Sequence, residues 1–191
     1  MLRILRSADY PTRPWKNGGG TTRDIAVSPP ASSLEDFDWR LSLARVDRDG
    51  PFSRFDNVDR TLVLLTGAMT LHEQDRRIDL VRHEPVAFEG ERAITATVAG
   101  GATLDFNVMT RRGRARHVAR RESFGKQVNV TPAAGMTVVL FALESGLTLD
   151  GERLHIYDTA IISAPQVVIA AATAIVPLLV VEISDFRPNV Q

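Results

Sequence analysis

The sequence predicts an all-β protein of the sandwich or barrel type, on three observations. Short apolar runs recur along the chain at spacings of roughly 8–12 residues, and turn-forming residues separate them. The clearest run, 39–46, alternates with the period of a strand. The longest apolar stretch, 160–183, is rich in Val and Ile and contains Pro165 and Pro177, which favours strands joined by a turn over a membrane-spanning helix.

The first half is predicted to consist of strands and one short helix. Residues 24–28 form a short strand that is ended by two prolines. In the strand 39–46, the alternation puts Trp39 on one face and Arg40 and Ser42 on the other. The remaining candidates are a helix at 32–36 and strands at 62–65, 68–71, 78–81, 85–88, 94–98 and 104–109, with a turn at Thr66-Gly67.

The second half repeats the β pattern. Asp150-Gly151 is a hairpin turn signal. The segment 111–121 holds six arginines and is interpreted as a solvated connector and strand edge. A nucleic-acid patch is the alternative, but no aromatic residues for base stacking lie between the arginines. Strands are predicted at 128–130, 136–143, 147–149, 154–156, 160–162, 167–170 and 178–183.

Composition excludes several classes of protein. The 191 residues, 44% of them hydrophobic, suffice for one large domain or two small halves that share a core. There is no cysteine, which excludes a disulfide scaffold, a thiolate metal site and a Cys nucleophile. The formal net charge of zero argues against nucleic-acid and membrane-surface partners. Residues 1–6 lack the apolar core of a signal peptide, so we expect a cytoplasmic location.

Hydrogen-bond donors are concentrated in one segment, Pro14-Trp15-Lys16-Asn17-Gly18-Gly19-Gly20-Thr21-Thr22-Arg23. Lys16 is one of only two lysines in the chain, and three glycines follow Asn17. Main-chain N–H, ammonium, hydroxyl and guanidinium groups together suit a small anion such as a carboxylate or phosphate. A glycine turn between two strands is the alternative. The segment is not a P-loop, because its lysine precedes the glycines, and no strand–helix unit surrounds it as a dinucleotide site requires.

Five separated motifs follow one another along the chain. They are Trp15-Lys16-Asn17-Gly18-Gly19-Gly20 with Thr22-Arg23, Phe37-Asp38-Trp39-Arg40-Leu41-Ser42, Asp49-Gly50-Pro51-Phe52-Ser53, Asp59-Arg60 with Leu62 and Leu65-Thr66-Gly67, and Asp105-Phe106-Asn107-Val108-Met109-Thr110-Arg111-Arg112-Gly113. Together and in this order, they resemble the HutD/Ves family. The resemblance is sharp from about residue 14 to about residue 113 and diffuse beyond, and Asp56-Asn57 stands where relatives more often have Pro-Gly.

The resemblance implies a bicupin, that is, two cupin-type, jelly-roll-like β-barrels in one chain. The first barrel would comprise residues 1–112 and hold the site motifs, and the second would comprise 113–191, closely packed on the first. The family also implies a homodimer and a link to bacterial histidine utilisation, through binding of an intermediate such as urocanate or a formyl- or formimino-glutamate. The Ves branch is linked to cold or stress responses.

The residues at the family's metal positions predict a metal-free site. Metal-binding cupins carry His-x-His and then a Glu seven residues before a glycine. If Gly67 is that glycine, Arg60 stands at the Glu position, and Ser53 and Phe55 stand near the His positions. A guanidinium repels a divalent cation, which needs imidazole and carboxylate ligands. We expect no metal and no other cofactor, and we interpret all four histidines as surface or packing residues: His72, His83, His117 and His155.

A carboxylate site is predicted instead. Arg40 and Ser42 share a strand face and are expected to meet Arg60 in one cavity, where a guanidinium can hold a carboxylate in bidentate fashion. A structural ion pair of Arg40 with Asp38 or Asp59 is the alternative. The apolar members of the set are either walls for a flat ligand or ordinary core. The predicted ligand-binding residues, none of them assigned as catalytic, are Trp15, Lys16, Asn17, Gly19, Thr22, Arg40, Ser42, Phe52, Arg60, Asn107 and Met109.

Three functions follow from these patterns. The first is a metal-free protein that binds a small carboxylate metabolite and restrains or regulates histidine utilisation. The second is a metal-free isomerase or hydrolase acting on a similar acid, with Lys16, Asp49 or Asp59 as general base. The third is a partner-binding protein in which the apolar segment 167–181 forms a dimer surface.

Overall fold

A computed structural model describes residues 1–186, which form β-strands, one 3₁₀ turn (Ser7–Asp9) and no α-helix. The all-β prediction is confirmed. No helix in this range has the length and apolar character needed to cross a membrane. The strands are β1 (Leu2–Leu5), β2 (Thr12–Pro14), β3 (Gly20–Ser28), β4 (Trp39–Val46), β5 (Gly50–Pro51), β6 (Val58–Glu73), β7 (Arg76–Asp79), β8 (Pro85–Glu89), β9 (Thr95–Arg111), β10 (Ala115–Phe124), β11 (Val128–Val130), β12 (Met136–Ala142), β13 (Leu147–Leu149), β14 (Glu152–Arg153), β15 (Thr159–Ser163), β16 (Val168–Ala172) and β17 (Val176–Asp185).

The chain divides into two compact units, and the N-terminal strand belongs to the second of them. One unit is Pro11–Arg112, and the other combines Met1–Tyr10 with Gly113–Gln191. Strand β1 pairs antiparallel with β15, with Leu2 opposite Ile162. The expected first domain, 1–112, therefore needs correction at its N-terminal end, because the hydrogen bonds of β1 join it to a strand that lies far later in the chain.

The unit Pro11–Arg112 is built on one antiparallel sheet. Its order is β2-β3-β4-β9-β6-β7, with β5 also paired to β9 and β8 to β6. Strand β6 is continuous through Gly67, which has φ +82°, and its register with β9 shifts on both sides of Thr66. The predicted turn at Thr66-Gly67 is thus wrong, because the glycine forms an irregularity within one long strand. The predicted strands 94–98 and 104–109 likewise join, from Thr95 onward, in the single strand β9.

The second unit contains two sheets with one core between them. Their orders are β1-β15-β12-β17-β10 and β11-β16-β13-β14. The core draws on both sheets and includes Leu140, Leu149, Ile162 and Leu178. Within the segment 167–181, the residues Val168, Ala170, Val176 and 178–181 are buried, whereas Val167, Ile169 and Ile175 are exposed.

Three sequence expectations need correction. The interpretation of 111–121 as connector and strand edge holds in part. The two units divide between Arg112 and Gly113, but residues 115–121 belong to β10, an edge strand that pairs with β17 throughout its length. Residues 32–36 form turns and no helix, and residues 154–156 form no strand. The hairpin at Asp150-Gly151 is confirmed, and both residues have the positive φ that a two-residue turn requires. None of the sheets closes into a barrel in the strand pairing of residues 1–186, so two closed barrels are not confirmed.

We predict that Gly20→Ala strongly destabilises the unit Pro11–Arg112. A Cβ added at Gly20 would lie 2.0 Å from the carbonyl oxygen of Arg45, a main-chain atom of the paired strand. The strands must separate locally, so the free energy of unfolding should fall by about 2–4 kcal/mol in urea titrations. Gly50→Ala is the matched control, since a Cβ there meets nothing within 4 Å. Equal stability of the two variants would contradict the prediction.

Candidate functional site

A cavity of about 470 Å³ lies within the unit Pro11–Arg112. It brings together every predicted ligand-binding residue except Gly19. The lining residues are Trp15, Lys16, Asn17, Thr22, Leu34, Arg40, Ser42, Ala44, Val46, Pro51, Phe52, Ser53, Phe55, Arg60, Asp105, Asn107 and Met109.

Strand alternation explains why residues distant in sequence meet here. Strand β9 lies between β4 and β6. Ser42 stands opposite Asn107, and Met109 stands between Arg40 on one side and Arg60 on the other. Directly opposed residues project to the same face of an antiparallel sheet. The period of two in β4, read from the sequence, therefore identified the face that lines the cavity.

Arg60 is a buried guanidinium held by two hydrogen bonds. Its side chain lines the cavity, yet the residue is only 8% exposed. Nη2 donates to Asn107 Oδ1 at 2.8 Å, and Nη1 donates to the carbonyl oxygen of Ser53 at 3.2 Å. Burial lowers the pKa of Arg60 to about 10, against the raising effect of the Asp105 charge. At neutral pH the group remains a cation.

Three aromatic rings surround this guanidinium. Arg60 Cζ lies 5.5 Å from the ring centroid of Phe52, 5.6 Å from that of Phe55 and 5.1 Å from that of Phe88. Rings at these distances attract a cation through their π faces. The aromatic residues thus position Arg60 before any ligand arrives, and sequence reasoning identified only Phe52 among them.

Asp105 is the main functional candidate that sequence reasoning missed. It lines the cavity and is 1% exposed. Its Oδ1 accepts a hydrogen bond from Asn107 Nδ2, whereas Oδ2 has no hydrogen-bond partner within residues 1–186. Burial raises the pKa of Asp105 to about 7, although Arg60 and Asn107 act to lower it. The available signal was its position two residues before Asn107, which puts both side chains on one face of β9.

Arg40 both lines the cavity and forms an ion pair. Its Nε donates to Asp24 Oδ1 at 3.1 Å, and its Nη2 bonds to the same oxygen. Asp24 also pairs with Arg13, at 2.8 Å. The sequence predicts an ion pair as the alternative for Arg40, but the expected partners, Asp38 and Asp59, are wrong. Asp24 lies on the neighbouring strand β3, opposite Ser42.

The glycine-rich segment forms a turn that presents Lys16 and Asn17. The Gly19 N–H donates to Asn17 Oδ1 at 2.9 Å, so this amide is used within the turn, and Gly19 does not line the cavity. Trp15 Nε1 donates to Thr22 Oγ1 at 2.7 Å, which fixes the indole ring. Lys16 is exposed, and within residues 1–186 it has no ion-pair partner. The segment is thus the glycine turn that the sequence offered as one alternative, and it also places the Lys16 ammonium group at the cavity.

The other proposed general bases lie outside the cavity. Asp49 Oδ1 accepts a hydrogen bond from the Val98 N–H at 2.8 Å, and an Asp59 carboxylate oxygen lies 3.6 Å from the Arg112 guanidinium.

Within residues 1–186, no group of three or more His, Asp or Glu side chains is placed to hold a metal ion. Burial lowers the pKa of His117 to about 4, so this histidine is neutral at physiological pH.

Comparison with known proteins first identifies the fold class. The chain resembles the bacterial pirin YhhW of Escherichia coli, solved in complex with nickel(II), with a TM-score of 0.72, 9% identity and coverage of 97% of this chain and 100% of that chain. At this identity the likeness concerns the fold alone. The protein has the all-β fold of the cupin-like proteins.

The family follows from closer matches. The sequence model of the HutD family matches residues 7–177, and the chain belongs to this family. It is 35% identical over 166 residues to the "uncharacterized 21.2 kDa protein in hutC 3′ region" of Pseudomonas putida, covering 83% of this chain and 85% of that one. It is 39% identical over 113 residues to protein Ves of Citrobacter koseri, 58% of either chain. The structure of HutD from Pseudomonas fluorescens SBW25, in a formate condition, matches with a TM-score of 0.83, 26% identity and coverage of 98% of this chain and 100% of that one.

We predict that Asp105 makes stability fall between pH 5 and pH 8. Its folded-state pKa, about 7, lies above its ordinary value of 3.8. At a pH between these two pKa values, Asp105 is protonated in the folded protein and ionised in the unfolded chain. The contribution of Asp105 to stability is therefore lost as the pH rises through this window, by about 2–3 kcal/mol from pH 5 to pH 8. His117, whose pKa burial lowers to about 4, acts in the opposite direction and does so equally in the wild type and in the variant. Asp105→Asn should remove this loss in urea unfolding at the two pH values, because the amide stays neutral.

Asp79→Asn is the control for this measurement. Asp79 lies outside the cavity, and hydrogen bonds from Thr70 and Arg77 lower its pKa below 3.8. It is ionised at both pH values, so its replacement should leave the difference between pH 5 and pH 8 unchanged. If Asp105→Asn keeps the wild-type difference, Asp105 does not titrate in this window.

Proposed function

We propose that this protein binds a small carboxylate metabolite in the cavity of the unit Pro11–Arg112. The observation that carries the proposal is the convergence of three cationic side chains, Lys16, Arg40 and Arg60, on one cavity. An ionised carboxylate gains charge-assisted hydrogen bonds from such groups, and these are about twice as strong as neutral ones.

The charge balance of the cavity supports an anionic ligand. Arg40 is paired with Asp24, and Arg60 lies close to Asp105. Lys16 adds a positive charge that no carboxylate of residues 1–186 pairs with. The site is thus cationic when both carboxyl groups are ionised, and more so when Asp105 is protonated.

Size and wall chemistry favour a small, partly flat molecule. Sites for small ligands commonly have volumes of about 300–1,000 Å³ and mostly apolar walls with a few polar groups. The cavity volume of about 470 Å³ lies in this range, and Trp15, Phe52 and Met109 contribute apolar surface. Urocanate and formyl- or formimino-glutamate are acids of suitable size, and we propose one of these as the ligand class.

We propose a regulatory role in histidine utilisation for the bound state. Membership of the HutD family supports this role, as does the relative from Pseudomonas putida, whose description places it in the hutC 3′ region. In this proposal, binding of a pathway intermediate restrains the pathway.

We also propose that the two units are cupin-type barrels. The cupin-like fold of the structural relatives supports this, as does the presence of an apolar core in each unit. Solution of a crystal structure and inspection of the strand pairing at the sheet edges would test it.

A second candidate is a metal-free isomerase or hydrolase acting on a similar acid, and Asp105 favours it. Among the three general bases proposed from the sequence, only Lys16 lines the cavity. Asp105 adds a carboxyl group whose pKa, about 7, suits proton transfer at neutral pH.

Calorimetric titration with urocanate, formyl-glutamate and formimino-glutamate distinguishes these functions when NMR follows the ligands over hours. Saturable binding with unchanged ligand spectra is the expected result for a binding protein. Conversion of a ligand would make the protein an enzyme, with Asp105 as the first residue to replace. Absence of heat with all three acids would overturn the proposal of a histidine-pathway ligand.

We predict that Lys16→Met weakens binding of the carboxylate ligand about 5- to 30-fold. The loss of one charge-assisted hydrogen bond at a partly solvated position corresponds to about 1–2 kcal/mol. The fold should be unaffected, because Lys16 has no ion-pair partner within residues 1–186. Calorimetry at fixed ionic strength gives the dissociation constants.

Lys126→Met is the matched control, because Lys126 is the only other lysine, is exposed and lies in the other unit. Both variants change the net charge equally. Similar weakening in both would show that Lys16 acts through overall charge and does not contact the ligand.

A further inference from the structure

Carboxylate binding leaves Asp105 unexplained. A cavity that only had to attract anions would be weakened by a buried carboxylate, since like charges repel and burial of a charge is costly. Asp105 nevertheless lies in the cavity wall, 1% exposed. The residues directly opposite it on β4 and β6 are the apolar Ala44 and Leu64, and the cation that acts on its charge is Arg60, farther along β6.

The two oxygens of Asp105 are used unequally. Oδ1 accepts from Asn107 Nδ2, and Asn107 Oδ1 in turn accepts from Arg60 Nη2 at 2.8 Å. This chain fixes the orientation of the carboxyl group. Oδ2 is buried and has no hydrogen-bond partner within residues 1–186. Buried polar atoms in folded proteins are nearly always hydrogen-bonded, so an oriented, unpartnered acceptor in a cavity wall suits a donor on a ligand.

We propose that the cavity selects acids that also carry an N–H group, with Asp105 Oδ2 accepting that hydrogen bond. The inference rests on the proposed function, since it concerns the same cavity and the same carboxylate ligand. Lys16 is exposed, whereas Asp105 is buried together with Arg60, so the exposed cation and the acceptor lie at different depths. The ligand carboxylate interacts with Lys16, and its N–H group is directed to Asp105 in the buried wall.

The chemical class of the ligand follows from these two interactions, one of its carboxylate and one of its N–H group. The ligand is a small acid with a ring N–H, an amide N–H or a formimino N–H group. An otherwise identical acid without the N–H leaves Oδ2 buried and unpaired, and sites built around such a hydrogen bond reject analogues that lack the donor. A hydrogen bond to a charged group corresponds to a preference of about 10- to 100-fold.

Matched ligands test the inference directly. The probes are 3-(pyrrol-2-yl)acrylate and 3-(2-furyl)acrylate, which have the same side chain and differ in a ring N–H or a ring oxygen. Titrations at pH 8, where Asp105 is ionised, should show the pyrrole acid binding about 10- to 100-fold tighter than the furan acid. Urocanate serves as a second N–H acid.

Asp105→Asn should bring this ratio close to one. Its carbonyl can still accept from Asn107, and its NH₂ group takes the place of Oδ2, where it cannot accept a hydrogen bond. Asp79→Asn, outside the cavity, should retain the wild-type ratio. Should Asp105→Asn fail to fold, the ¹⁵N and ¹H shifts of the pyrrole N–H bound to the wild-type protein report the same hydrogen bond.

The outcomes separate this inference from the proposed function. Equal affinity of the wild-type protein for the two acrylates would overturn the role of Asp105 and leave carboxylate binding intact. A strong preference that persists in Asp105→Asn, or an unshifted pyrrole N–H resonance, would also overturn it. If neither the pyrrole acid, the furan acid nor urocanate binds, carboxylate binding itself is overturned, and the inference with it.

Discussion

The antiparallel pairing of β9 with β4 and β6 is the constraint on which the site depends. Asp105, Asn107 and Met109 share one face of β9, whereas Phe106 and Val108 face the other way and are fully buried. A slip of one residue in this pairing would exchange the two faces and place core residues in the cavity wall. The register that packs the core is therefore the register that assembles the site.

The same pairing accounts for the two buried charges. Arg60 and Asp105 are both less than 10% exposed. Burial lowers the pKa of Arg60 and raises that of Asp105, so in each case it favours the neutral form. Asn107 bonds to each of them, so the three side chains form a connected network in place of two isolated charges. Replacing such networks by apolar groups is often neutral or stabilising, which indicates that stability alone does not explain this one.

Much of the fold was predictable because period and turn chemistry are local properties. Strand β4 was predicted with its correct limits and faces, and the Asp150-Gly151 hairpin followed from its residue types. Errors arose where the same local signal allows two outcomes. Gly67 reads as a turn, but pairing of the flanking residues with β9 keeps the strand continuous. The arginine-rich segment 111–121 reads as a linker and strand edge, and from residue 115 onward its pairing with β17 makes it an edge strand.

The sequence by itself determined the all-β class, the family and the face of β4 that lines the cavity, since each depends on residue types at fixed short spacings. Only the tertiary structure decided how these residues meet. It pairs Arg40 with Asp24, surrounds Arg60 with aromatic rings and, among residues 1–186, gives one oxygen of Asp105 no hydrogen-bond partner. The physical reason is that burial, ion pairing and hydrogen-bond satisfaction depend on neighbours across strands, and these neighbours are fixed by long-range register.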